Sequence, residues 1–103
     1  NPGSSGDNVG GEYSDMTDAQ VRSTSFEVAR DAYEAATAGE TAKVIELMNR
    51  LLRMEHEMNK ENREGVESTV RSRTDTIMTN VEESDLGCKL VIVGKYPSKV
   101  KCV

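Results

Sequence analysis

Cys88 and Cys102 are the residues whose type and spacing most directly imply covalent chemistry. A bond between them would close a loop of about 15 residues and, in the chain-entropy model, stabilise the fold by about 3 kcal/mol. The other reading is a pair of reduced, partly buried thiols that pack as small apolar side chains. No C-x-x-C is present, so a catalytic dithiol is not expected, and two cysteines with one distant histidine are too few soft ligands for a closed zinc site. That histidine, His56, stands between Glu55 and Glu57, outside any H-E-x-x-H pattern, and reads as an exposed residue. Glu55, Glu57, Glu61 and Glu64 are rich in carboxylate, but helical periodicity spreads them around a solvated surface and no EF-hand loop encloses them. The run Lys89 to Gly94 enters a glycine as a strand enters a phosphate loop, yet the second glycine and the Gly-Lys-Ser/Thr that would cradle phosphates are missing. There is no nucleophile elbow and no recognisable triad. The residues therefore point to no catalytic group, no metal and no cofactor, and the expectation is a protein that is not an enzyme.

Charge narrows the partners. With 13 basic and 18 acidic residues the chain carries −5, which disfavours a broad attraction to nucleic acid or anionic lipid. The last segment differs. Residues 87–103 hold Lys89, Lys95, Lys99 and Lys101 and no acid, a local +4 that leaves −9 on the other 86 residues. With Tyr96 these lysines are the candidate polyanion contact. Their other reading is protection of a sheet edge against aggregation.

The elements that would position these groups are dominated by Val44, Leu47, Leu51, Met54 and Met58, spaced three, four, three and four apart. That is a heptad seam, a narrow stripe that only a partner helix hides from water. Each large apolar side chain buried there contributes roughly 1.5–3 kcal/mol. Met48 and Leu52 lie beside the seam and make the face wider than one helix needs, so Val44, Leu47, Met48, Leu51, Leu52, Met54 and Met58 are the expected partner-binding set. A first helix is expected from about Asp18 to Thr37, started by a Thr17–Gln20 capping box and stopped at Gly39. Its stripe reads Ala19, Phe26, Ala29, Tyr33 and Ala36, widened by Val28, Ala32 and Ala35, with Phe26 and Tyr33 supplying most of the buried area. Thr41 is a candidate cap for the second helix, and so short a link makes the two helices antiparallel.

Beyond Met58 the apolar phase shifts to Val66, Val70, Ile77 and Val81. A break around Asn62 to Gly65 is expected, because glycine costs about 1 kcal/mol inside a helix; one continuous helix in a coiled coil is the alternative. After Gly87, the run Lys89-Leu90-Val91-Ile92-Val93 reads as a strand, Tyr96-Pro97-Ser98 as a turn, and Lys99 to Cys102 as a second strand. A lone two-stranded hairpin is barely stable, so it must lie on the helices or join a sheet in another chain.

Residues 1–13, rich in glycine and serine, read as a flexible acidic tail, 14–86 as a helical domain, and 87–103 as the hairpin. The first residue is Asn1, in keeping with a processed end or a piece of a longer protein. No run approaches the ~18 apolar residues of a membrane span, and the chain reads as soluble. The stretch Phe26 to Glu34 is similar to the helical part of a coronavirus replicase cofactor, a family that meets polymerase and RNA through a long basic helix. Here the stretch is rich in alanine and glutamate, and none of that family's functional residues transfers to it. The fold class expected is mainly α, an antiparallel helical hairpin or three-helix bundle with a short C-terminal β-hairpin. The function expected is assembly through a protein partner or further copies of the chain. The alternative is a small replication or transcription cofactor that contacts nucleic acid through the hairpin lysines.

Overall fold

Thr17 starts the first helix through the reciprocal pair its sequence encodes. The Gln20 N–H donates to Thr17 Oγ1 at 3.1 Å and the Thr17 N–H to Gln20 Oε1 at 2.9 Å. In the computed structural model, which describes residues 13–93 and 96–103, this helix α1 runs Asp18–Ala38. The expected tail, but for its last residue, lies outside the described residues. Gly39 ends α1 in the left-handed region, φ 76°, where only glycine sits without cost. The Glu40 N–H then closes on the Ala35 carbonyl at 2.9 Å.

Helix α2 spans Thr41–Glu57, with Glu40 at its cap position and no side-chain cap bond, so Thr41 is its first residue rather than its cap. Helix α3, Lys60–Glu83, packs back on both others and completes a three-helix bundle. The break between α2 and α3 falls at Met58 and Asn59, ahead of the expected Asn62 to Gly65. Asn59 explains the position. Its side chain accepts from the Asn62 N–H at 2.8 Å, capping α3, and donates to the Ser14 carbonyl at 2.9 Å. Asn62, buried, donates to the Met16 carbonyl at 2.6 Å, so residues 14–16 are tied across this turn.

Gly65 stays helical inside α3, and its carbonyl accepts from Arg22 Nη2 of α1 at 3.1 Å. A Cβ at that position would meet only Asp18 Oδ2, at an ordinary 3.8 Å. Gly65→Ala is therefore expected to stabilise the fold by about 0.5–1 kcal/mol, read as a higher denaturant midpoint with an unchanged slope. A lower midpoint would show that the α1–α3 contact needs the bare backbone.

The face that α1 buries differs from the expected one. Val21, Ser25, Val28, Ala32 and Ala35 point inward with Ala29 and Ala36, whereas Ala19 is exposed and Phe26 and Tyr33 are 54% and 48% exposed. Packing gives the reason. A seam of leucine and methionine on α2 fits a face of small residues on α1, and a ring there would hold the two helices apart.

Two clusters fill the interior. Val44, Leu47, Met48 and Leu51 meet Ala32, Ala35, Ile77, Val81, Cys88 and Val100 in the first. Met54 and Met58 meet Val21, Val66, Val70 and Tyr13 in the second. Tyr13, counted into the tail by composition, is fully buried. Its hydroxyl accepts from Arg50 Nε at 2.9 Å, and the Arg53 guanidinium lies 5.7 Å from its ring centre.

The chain ends in an antiparallel hairpin of β1, Cys88–Val93, and β2, Tyr96–Cys102. Val93 pairs with Tyr96, residues 94–95 lie outside the described residues, and the expected turn Tyr96-Pro97-Ser98 belongs to the second strand. The register shifts between Val91 and Val93, at the level of Pro97, which has no N–H for a ladder. The hairpin is anchored on α2, where the Val100 N–H donates to Asn49 Oδ1 at 2.7 Å. Among the described residues no helix is long and apolar enough to cross a membrane.

Candidate functional site

Of the expected partner-binding set, Val44, Leu47, Met48, Leu51, Met54 and Met58 are all buried by the chain's own residues, and Leu52 is partly buried against the first cluster. The seam is closed from within, because α1, α3 and the hairpin all pack on α2.

Cys88 and Cys102 are joined directly across the strand pair. Cys102→Ser is expected to cost about 3 kcal/mol in denaturant unfolding, and wild type in dithiothreitol should unfold at the variant's midpoint. A variant as stable as the oxidised wild type would show that helix packing alone holds the hairpin.

Lys89, Lys99 and Lys101 are exposed, and the register puts them together: Lys89 lies opposite Lys101, and Lys99 opposite Val91, on the face turned away from Cys88 and Val100. Lys95 lies outside the described residues. Among those described, no three His, Cys, Asp or Glu residues gather closely enough to hold a metal ion. Arg71 donates to Glu55 Oε1 at 3.2 Å and Glu67 Oε2 at 2.9 Å. The bond and charge of Glu55, with Glu67 adding, hold its guanidinium above the ordinary arginine range. The pair is solvated and links the surfaces of α2 and α3.

The surface that the sequence did not single out is a groove of about 390 Å³ between α1 and α3. Helix α1 contributes Phe26, Ala29, Arg30 and Tyr33; helix α3 contributes Ser72, Arg73, Thr76, Ile77 and Asn80. Ala29 and Ile77 are buried and form its floor, while the two rings stand along one wall. Arg73 is held in place. Its Nη1 donates to the Arg22 carbonyl at 2.6 Å and to Ser25 Oγ at 2.7 Å, and its guanidinium lies 5.5 Å from the Phe26 ring centre. Arg30 is more than half exposed and reaches its neighbour Asp31 at 3.8 Å. Among the described residues no acid lines the groove. Asp31 and Glu34 line a separate recess with Glu40 and Lys43.

This arrangement supplies apolar walls, two cations and a few polar side chains, which suits recognition of a surface and contains no nucleophile paired with a base. A signal for it was present in the sequence. Phe26, Arg30 and Tyr33 fall four and three apart, and a charged residue at the centre of an aromatic stripe marks a surface. No protein-family model matches the chain, and neither a curated protein nor a solved structure does.

Proposed function

We propose that this protein is a non-enzymatic protein–protein interaction module, an assembly subunit whose partner seats on the α1–α3 groove. One observation supports this above the rest. The chain has one phenylalanine and three tyrosines, and two of those four rings, Phe26 and Tyr33, stand about half exposed along a single groove. Exposed aromatics gathered on one concavity are the usual anchors of a partner, because they bury large area at small entropic cost. The docking face thereby moves from Met48 and Leu52 of α2 to the surface that α1 and α3 share.

The double variant Phe26→Ser/Tyr33→Ser is expected to unfold within about 1 kcal/mol of wild type, as surface positions do. A photoreactive benzoylphenylalanine at position 33 is expected to give a discrete adduct in extracts of the source cells, lost when Phe26 is also changed to serine. The same probe in place of Ser68, which is exposed on α3, should give none. Equal labelling from 33 and 68 would sink the proposal.

The gathering of Lys89, Lys99 and Lys101 on one outward face supports the second reading, a small replication or transcription cofactor that contacts nucleic acid through the hairpin. Reversal of those three charges should then abolish a salt-dependent binding to RNA or DNA. Absence of binding at low salt overturns it.

A further inference from the structure

We infer that the α1–α3 groove receives a short amphipathic helix with an acidic flank, presented by a different protein; this rests on the groove being the docking face. Length points to a helix. From Phe26 to Tyr33 is seven residues, about 10 Å along α1, two helical turns, which matches the i to i+7 reach of apolar anchors on a helix laid in a groove. The floor of Ala29 and Ile77 takes those anchors between the two rings.

Charge points to an acidic flank. In a chain of net charge −5, this is a concavity lined by Arg73 and by Arg30, whose carboxylate neighbour, the exposed Asp31 at 3.8 Å, is not among the lining residues. Arg73 is already oriented by Ser25 and the Arg22 carbonyl, so it meets an incoming carboxylate with little further loss of rotamer freedom. Size and charge argue against a second copy of this chain. A stable dimer buries about 800 Å² on each partner, more than a groove two turns long offers, and a two-fold pairing of α1 stripes would set Arg30 against Arg30.

The test is a displayed library of amphipathic helices selected on the folded, oxidised chain. Enriched sequences are expected to carry two apolar anchors seven apart with Asp or Glu beside them. Their affinity should fall about fivefold or more in Arg30→Glu and tenfold or more in Tyr33→Ser, both variants keeping wild-type circular dichroism and melting. Enrichment of neutral, basic or extended sequences that still lose binding in Tyr33→Ser would overturn the acidic helix and leave the groove as the docking face. Enriched sequences indifferent to both substitutions would overturn the docking face as well. A dimer on a sizing column that Tyr33→Ser converts to monomer would make a second copy the occupant and overturn this inference.

Discussion

Leu51→Asp is expected to abolish the cooperative unfolding transition. Leu51 has no exposed surface and lies in the first cluster, with Val44, Leu47 and Met48 on its own helix. Truncation to alanine alone should cost about 2–5 kcal/mol, from lost transfer energy and the cavity left behind. Aspartate adds a carboxylate with no partner at that depth, which must stay charged in an apolar site or take up a proton. The sum approaches the whole stability of a small domain, about 5–15 kcal/mol. Far-ultraviolet circular dichroism during thermal denaturation reads the result directly. A folded Leu51→Asp monomer that had lost only self-association would place the seam outside the fold.

Tyr13→Ala should come next in size, at about 3–5 kcal/mol, although the residue lies at the edge of what composition marks as tail. The ring is fully buried in the second cluster with Met54, Met58, Val66 and Val70. Its loss empties a space bounded by three helices, and the Asn59 and Asn62 bonds to residues 14–16 would lose the anchor beside them. Tyr13→Phe keeps the packing and removes only the hydroxyl that accepts from Arg50, so about 1 kcal/mol is expected. Urea unfolding of the three proteins in parallel checks the series. A Tyr13→Ala midpoint equal to wild type would mean that the bundle closes without residue 13.

Much of this fold was legible because its strongest signals are local. The α2 seam, the Thr17–Gln20 box and the Gly39 stop each depend on residues within a few positions of one another, and all three stand in the structure. The buried face of α1 was not legible by the same means. Alanines at 19, 29, 32, 35, 36 and 38 leave its apolar stripe without a clear phase, and the largest side chains then attract the assignment. What fixes the phase is the partner: large side chains on α2 select the small-residue line Val21, Ser25, Val28, Ala32, Ala35, itself spaced four and three. The same selection expels Phe26 and Tyr33 and so creates the groove. The stripe Phe26, Arg30 and Tyr33 marks one wall of the site in the sequence, but the groove follows from how two helices fit, and a motif records only one of them. The α2–α3 break was misplaced for a related reason. Gly65 is tolerated inside α3, where Arg22 holds its carbonyl, and Asn59 takes the turn through contacts to residues more than forty positions away.

The Cys88–Cys102 bond also decides how the molecule would bear a mechanical load. Tension applied at Val103 passes from Cys102 to Cys88 through the bridge and on toward the end of α3, so the strands between them carry none of it and cannot unzip first. The 14 residue steps between the cysteines are a reserve of about 45 Å of contour length that the chain surrenders only when the sulfurs part. Pulled in its oxidised form, the protein resists through its helical bundle; pulled in its reduced form, it first lets out the hairpin.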